Sequence, residues 1–191
     1  AAQQYSIGTG VGQFNGEGYA EALANAIAMR EAHSATADEI AAAIAAISVD
    51  NLTLNMPANG QLIYIKDNAG NYMTCNNAEN GRTAFAAEKN DAAIFCYTGS
   101  ALISYKTGFY ATHNGAANPF PKMAQEVIAE SEATLYQIHA SGLNKDKYAI
   151  SFGSDTRFMY TAGNAGKFAN AAAINQAGFE FTLEEEEALP V

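Results

Sequence analysis

A chain of 191 residues that is 49% hydrophobic is long enough to bury a core of its own. Its twenty acidic and ten basic side chains give a net charge of -10, and the basic ones are scattered singly, which excludes nucleic acid and anionic membrane surfaces as partners. No apolar run approaches the roughly 18 residues that a membrane-spanning helix needs, so membrane insertion is excluded as well.

The first part of the chain changes from a glycine-rich pattern to a helical one. Residues 1–18 carry glycines spaced two to four apart, which is typical of a loop. Residues 19–31 are rich in alanine, and Leu23 and Ile27 lie four apart, so this stretch predicts a helix. His33 and Ser34 interrupt the pattern.

A second helix is predicted from Thr36. Thr36 and Glu39 match the T-x-x-E capping box, in which each residue satisfies a backbone N–H of the first helical turn. An apolar stripe follows at Ile40, Ile44 and Ile47. Two short helices with a short link predict an antiparallel hairpin, and we assign residues 1–55 to a glycine-rich lead-in and this helical hairpin.

The remaining residues, 56–191, predict a β-domain that repeats itself. Short alternating apolar runs are separated by turn residues, and their order recurs three times. The runs are 62–65, 71–75 and 93–97 in the first unit, 102–105, 108–113 and 134–138 in the second, and 148–152, 157–161 and 178–183 in the third. The closing runs lie about 41 to 45 residues apart, the period of four-stranded repeats.

Three such units predict a closed three-fold structure. None of them can bury its own hydrophobic face, and a propeller needs at least about four blades to close. The predicted fold is therefore mainly β, a β-trefoil of three pseudo-repeats preceded by an α-helical hairpin.

Two segments depart from the repeat. Residues 114–131 contain Pro119, Pro121 and the run KMAQEVIAES, which predicts a loop or a short helical turn within the second unit. The final residues, FTLEEEEALPV, predict a solvated acidic exit segment that leads toward a downstream domain of the same parent chain.

These patterns resemble a known combination of modules. The phrase ATADEIAAAIAAI resembles a FIVAR-type helical hairpin, and residues 59–183, opening with GQLIYIKDNAGNYMTC, resemble a ricin-B-like or fascin-like β-trefoil. Together they are similar to ancillary modules of large secreted or surface multidomain proteins of gut Bacteroidetes. The resemblance implies a non-catalytic accessory role and a secreted, periplasmic or cell-surface location.

One feature of the lectin pattern is missing. Ricin-type repeats carry Gln-x-Trp near the end of each unit, and this chain has no Trp. The comparable positions are occupied by residues 136–138 (Tyr-Gln-Ile) and 179–181 (Phe-Glu-Phe).

Aromatic residues recur at matching positions of the three units, at Tyr72, Tyr110 and Phe158. Equivalent positions of a three-fold structure serve equivalent packing roles, so packing is the first expectation and a shallow sugar platform the second. Two groups are candidates for ligand binding: Asp67, Asn68, Asn71 and Tyr72 form the first, and Tyr110, His113 and Asn114 form the second.

Other chemistry is not indicated. The three histidines are isolated and neither cysteine belongs to a C-x-x-C pair, so we expect no metal and no cofactor. Cys75 and Cys96 fall on predicted strands of one unit, which is compatible with a disulfide and equally with two small buried side chains.

Three functions remain open. A carbohydrate-binding or adhesion module, with glycans as partners, predicts an exposed aromatic beside Asp or Asn. A structural spacer or protein-interaction module without a small-molecule ligand predicts that the recurring aromatics are buried. A hydrolase with an unrecognised carboxylate pair requires a cleft with two facing carboxylates.

Overall fold

The structure is a computed structural model that describes residues 5–75, 81–115, 120–153, 157–170 and 177–186. The chain divides into two compact units, Ala1–Asn55 and Met56–Val191. The first unit holds both helices and the second is built of strands, so the mainly β fold with an N-terminal helical hairpin is confirmed.

The first unit contains helices α1 (Tyr19–Ala32) and α2 (Ala37–Ala46). Helix α1 ends at Ala32, because the next residue, His33, has a positive φ of 52° that breaks the helical path. The predicted capping box is confirmed: the N–H of Glu39 donates to Thr36 Oγ1 at 3.3 Å, and the N–H of Thr36 donates to Glu39 Oε2 at 2.7 Å. Neither helix is long and apolar enough to cross a membrane, within the described residues.

The glycine-rich lead-in is not only loop. Strand β1 (Phe14–Asn15) pairs antiparallel with β2 (Thr53–Leu54), which joins the two ends of the first unit. The ring of Phe14 is buried and meets Tyr5 edge-on, with 4.9 Å between ring centroids. A strand of two residues is too short to produce a periodic sequence signal, so the sequence did not predict it.

The second unit contains twelve strands in its described part, four in each repeat. The first repeat comprises β3 (Gln61–Lys66), β4 (Tyr72–Thr74), β5 (Ala84–Ala86) and β6 (Phe95–Tyr97). The second comprises β7 (Leu102–Ser104), β8 (Ala111–His113), β9 (Pro121–Met123) and β10 (Tyr136–Ala140). The third comprises β11 (Tyr148–Phe152), β12 (Arg157–Ala162), β13 (Ala165–Asn170) and β14 (Thr182–Glu185).

The outer strands of each repeat form a closed barrel. Strand β3 pairs with β6, β6 with β7 and β10 with β11. The N–H of Tyr136 in β10 reaches the carbonyl of Ser100 before β7 at 2.8 Å, and a bridge between Tyr148 and Phe181 joins β11 to β14. Pairing of β14 with β3 closes the ring. The inner strands form three hairpins, β4–β5, β8–β9 and β12–β13.

The core repeats three times, as the β-trefoil prediction requires. Each hairpin points one cross-strand pair inward, and all six side chains are at most 6% exposed. The pairs are Met73 with Phe85, Ala111 with Met123, and Met159 with Phe168. The barrel adds an aromatic belt of Phe95, Tyr136 and Phe181, each 0% exposed. Such a shared core explains how three units that cannot bury their faces alone fold together.

The third strand of every repeat, β5, β9 and β13, was missed by the sequence prediction. In particular, Lys122 and Met123 of the run KMAQEVIAES belong to β9 and not to a helical turn, and only Glu130–Glu132 form a 3-10 turn. The hairpins also approach each other closely: a Cβ added to Gly166 would lie 2.5 Å from Pro121 Cγ. Glycine at position 166 therefore allows β13 to pass next to β9.

Candidate functional site

The first predicted group lies at the turn between β3 and β4. Asp67 is buried, and its Oδ1 accepts hydrogen bonds from the backbone N–H groups of Ala69 and Asn71, both at 2.9 Å. The N–H of Asp67 donates to the carbonyl of Asn71, also at 2.9 Å. A carboxylate bonded to the backbone of its own turn fixes that turn. Asn68 is exposed at the turn, and Asn71 is half-buried.

Tyr72 begins β4 directly after this turn and is 8% exposed. Its ring meets Tyr64 edge-on, with 5.8 Å between centroids, and Ala93 and Ile94 complete a small apolar cluster around the two tyrosines. Phe158, the matching residue of the third repeat, is 5% exposed and packs in an equivalent cluster. Tyr72 and Phe158 therefore act in packing and leave no open ring face for a sugar.

A charged cluster lies beside Tyr72, where β14 pairs with β3. Glu184 Oε1 accepts a hydrogen bond from Lys66 Nζ at 3.1 Å, and Glu184 Oε2 lies 3.0 Å from Lys89 Nζ. The Tyr72 hydroxyl donates to Glu184 Oε1 at 3.3 Å. We call Lys66, Tyr72, Lys89 and Glu184 the Glu184 cluster. The side chains of Lys66, Lys89 and Glu184 are 32%, 41% and 28% exposed, so their charged ends reach solvent.

The electrostatics of the cluster favour its charged form. Partial burial alone would raise the pKa of Glu184, but hydrogen bonds from Lys89 and Lys66 outweigh burial and hold this pKa below its ordinary value. The hydrogen bonds with Glu184 and Tyr72 raise the pKa of Lys66. Burial, together with the hydrogen bond to Glu186, raises the pKa of Tyr64. The cluster therefore presents ammonium donors and carboxylate acceptors side by side at neutral pH.

The second predicted group lies on and after β8. Tyr110 is half-buried, its backbone bridges to Ile103, and its carbonyl accepts a hydrogen bond from the N–H of Ala124 at 2.8 Å. Asn114 Oδ1 accepts a hydrogen bond from the N–H of Phe120 at 3.0 Å, which links the residue after β8 to the residue before β9. The Asn114 side chain therefore has a structural role, whereas the contacts of Tyr110 are made by its backbone and leave the role of its ring a prediction.

His113 is half-buried at the end of β8. Its Nδ1 lies 2.8 Å from the hydroxyl of Thr134, and its ring packs against Phe152 with 4.5 Å between centroids. Burial, with a smaller contribution from the charge of Arg157, lowers the pKa of His113 below its ordinary value. The neutral imidazole is therefore favoured in the folded protein.

The segments at the Gln-x-Trp positions contain buried residues with structural contacts. Tyr136 is fully buried in the belt, and its hydroxyl donates to the carbonyl of Thr112 at 2.7 Å. Glu180 is 2% exposed and accepts hydrogen bonds from Ser141 Oγ at 2.5 Å and from the N–H and Nδ2 of Asn144 at 2.9 and 2.7 Å. Glu180 thus fixes the loop between β10 and β11.

The two cysteines are free thiols in the structure. Cys75 is buried and follows β4, and its N–H donates to the carbonyl of Ala92 at 2.8 Å. Cys96 is half-buried in β6, and burial raises the pKa of its thiol. The disulfide that their positions allowed is therefore not formed in this structure.

Sequence reasoning missed most of the Glu184 cluster. It identified Tyr72, but Lys66 and Lys89 were not singled out, and Glu184 was interpreted as part of a solvated acidic edge. Glu184 instead binds Lys66 from 118 positions earlier in the chain. The alternation in β14, which places Leu183 inward and Glu184 outward, was the available signal. Among the described residues, no group of three His, Cys, Asp or Glu side chains could hold a metal ion.

Comparisons with known proteins identify the fold. No family model matches the chain, and no curated protein matches it in sequence. The ricin B-like lectin of Macrolepiota procera, solved in complex with lactose, aligns at a TM-score of 0.56 and 13% identity, over 69% of this chain and 100% of the lectin. The β-trefoil BEL, in an apo crystal form, aligns at 0.55 and 12% identity, over 69% of this chain and 97% of BEL. At these identities the similarity shows that this chain has a β-trefoil fold.

Proposed function

We propose that the β-trefoil unit is a non-catalytic carbohydrate-binding module. The Glu184 cluster carries the proposal, because it places lysine donors and a carboxylate acceptor within about 3 Å of each other on a half-exposed surface. Sugar hydroxyls both donate and accept hydrogen bonds. Two adjacent hydroxyls of a sugar can therefore bind to a lysine donor and a carboxylate acceptor that lie side by side. The exposed Asn68 and the half-buried Asn71 lie in the turn that directly follows Lys66 and precedes Tyr72.

The architecture supports the same function. The lectin that aligns over its whole length with this chain was solved with lactose bound. One fold serves many functions, so structural similarity to a lectin does not by itself assign carbohydrate binding to this chain. We further propose an accessory role in a secreted, periplasmic or cell-surface protein with further domains, supported by the sequence resemblance to bacterial surface modules and FIVAR-type hairpins.

A structural spacer or protein-interaction module is the second candidate. It is favoured by the burial of Tyr72 and Phe158, which this alternative predicts, since buried rings offer no sugar platform. The helical hairpin adds a second observation: α1 and α2 bury none of their residues, and Ile40 and Ile44 are 47% and 62% exposed. Apolar side chains of this kind suit contact with another protein.

A glycan array probed with the full chain tests the proposal. We expect saturable binding to at least one glycan, confirmed by titration calorimetry. Lys89→Ala should weaken that binding at least about tenfold, because a hydrogen bond to a charged group contributes about 1.5–3 kcal/mol. Lys145→Ala removes another exposed lysine of the same unit and serves as the matched control.

The outcomes separate the two candidates. A blank array with a folded chain would contradict carbohydrate binding and leave the spacer or interaction module as the function. Binding that Lys89→Ala leaves unchanged would keep the function and remove the Glu184 cluster as its site.

A further inference from the structure

Tyr105 differs from the other aromatic residues of the protein. Its side chain is 38% exposed, and no other aromatic side chain among the described residues is as exposed. It directly follows β7, at the start of the turn that leads to β8. A large exposed ring contributes little to the core, so packing does not explain its presence there.

The turn that carries Tyr105 is firmly held. The N–H of Tyr105 donates to the carbonyl of the buried Ile94 at 3.0 Å, and the N–H of Gly108 donates to the carbonyl of Ser104 at 2.8 Å. The Ser104 hydroxyl also accepts a hydrogen bond from the N–H of Thr107 at 3.3 Å. The ring is therefore presented from a fixed backbone and needs little ordering when a ligand binds.

A basic and an acidic residue accompany Tyr105 in this part of the fold. Lys106, the neighbour of Tyr105, places Nζ 3.3 Å from Asp91 Oδ1, and their side chains are 45% and 47% exposed. Asp91 belongs to the 3-10 turn Asp91–Ala93, which directly precedes Ile94 and is capped by Asn90, whose Oδ1 accepts the N–H of Ala92 at 3.0 Å. Two fixed turns from adjacent repeats thus bring an exposed tyrosine, an aspartate and a lysine to neighbouring positions of the fold.

From this juxtaposition we propose that Tyr105, Asp91 and Lys106 form a second carbohydrate-binding site, specific for a neutral pyranose. The phenol ring offers a face on which the C–H groups of a sugar ring stack. The Asp91 carboxylate accepts hydrogen bonds from adjacent hydroxyls, and the ion pair with Lys106 uses one of the three ammonium hydrogens, which leaves donors for the ligand.

The charges indicate the class of sugar. Asp91 and Lys106 neutralise each other, so the site has no excess charge to attract an anionic ligand, and the net charge of -10 of the chain repels one. An ion pair this exposed to solvent contributes little to stability, so stabilising the fold does not explain its presence. This site rests on the proposed carbohydrate-binding function but is independent of the Glu184 cluster.

Ligand-observed NMR and titration calorimetry of the full chain test the site. The probes are the neutral methyl glycosides of glucose, galactose, mannose and N-acetylglucosamine, lactose, and sialyllactose as the anionic comparison. We expect a neutral probe to bind and Tyr105→Ala to weaken that binding at least about tenfold, as expected for a central aromatic contact. Tyr105→Phe keeps the ring and should keep most of the affinity.

Two further variants make the result specific. Asp91→Asn should weaken the same binding, while Leu143→Ala, which removes a 49% exposed apolar side chain elsewhere in the unit, should leave it unchanged. Circular dichroism and the midpoint of thermal unfolding establish that each variant is folded.

Each of the remaining outcomes contradicts one part of the proposal. If the wild-type chain binds a neutral probe and neither Tyr105→Ala nor Asp91→Asn weakens it, the second site is wrong and the proposed function stands. If sialyllactose binds more tightly than lactose through Tyr105, the assignment to neutral sugars is wrong. If the wild-type chain binds none of the probes and is blank on the array, the proposed function and this site fail together.

Discussion

Single residues of the β-domain gain their roles from burial more than from residue type. Tyr72 and Tyr105 are both tyrosines near a hairpin turn, yet one is packed under a charged cluster and the other faces solvent. Asp67 likewise lies in a turn, but its side chain is buried and accepts hydrogen bonds from the backbone of that turn. A sequence pattern identifies such residues as candidates, and only the three-dimensional contacts separate packing from binding.

His113 provides a prediction at this scale. Because its folded pKa is lowered from the ordinary value of 6.5, its neutral form contributes stability that is fully present above about pH 6.5 and is lost as the pH falls through the folded pKa. His113→Gln should therefore reduce the difference in the free energy of unfolding of the β-domain between pH 7 and pH 5, measured by urea denaturation.

The control for this prediction is Thr134→Val. It removes the hydroxyl 2.8 Å from His113 Nδ1 but retains the titrating imidazole, so stability should fall at both pH values while the pH dependence persists. An unchanged pH dependence in His113→Gln would show that other groups cause the loss of stability in acid.

The helical hairpin shows how much a single element depends on local interactions. Since α2 buries no residue, its capping box contributes a large part of the stability of its first turn. Thr36→Ala should destabilise α2 by about 1 kcal/mol, seen as faster amide hydrogen exchange over residues 37–46. Ser34→Ala, two residues earlier and outside the box, should leave exchange in α2 unchanged, and equal effects of both variants would contradict the prediction.

The sequence predicted elements where the local signal was strong. The capping box located α2, and alternation with turn residues located nine of the strands of the β-domain. The strands β5, β9 and β13 were missed because each has a single large inward residue, Phe85, Met123 or Phe168, among small or polar neighbours. One large apolar residue in a strand of three residues, or of six in β13, gives no periodic signal, and the proline that begins β9 argued against a strand.

The candidate sites were predictable only in part. The sequence placed Asp67 between the predicted runs 62–65 and 71–75, because alternation and turn residues are local signals. The Glu184 cluster depends on the pairing of β14 with β3, which are far apart in the chain. The approach of Lys106 to Asp91 depends on the pairing of β6 with β7, which brings together residues 15 positions apart. No local sequence pattern encodes either contact.

At the scale of the whole molecule, the closed barrel makes the three repeats one cooperative structure. Phe181 of the third repeat packs against Phe85 of the first, and Tyr136 of the second against Phe168 of the third, so a cavity made in one repeat removes contacts of another. Phe181→Ala should cost about 3–5 kcal/mol and lower the denaturation midpoint of the β-domain while keeping its transition single. Tyr136→Phe retains the ring and loses only its bond to Thr112, so its effect should be smaller. Separate unfolding of the third repeat in Phe181→Ala would contradict a shared core.

The pairing of β3 with β14 has a consequence for how the domain can be connected. The N–H of Glu186 donates to the carbonyl of Leu62 at 3.0 Å, so the first and last strands of the β-domain lie side by side. Because the two ends of the barrel are adjacent, the strand pairing does not require the chain of the β-domain to start at β3. A circular permutant that joins these ends by a short linker and opens at Gly108, where the turn is uncrowded, retains every strand pairing of the barrel. Because its first and last strands are adjacent, we also expect the β-domain to tolerate insertion into a surface loop of another protein.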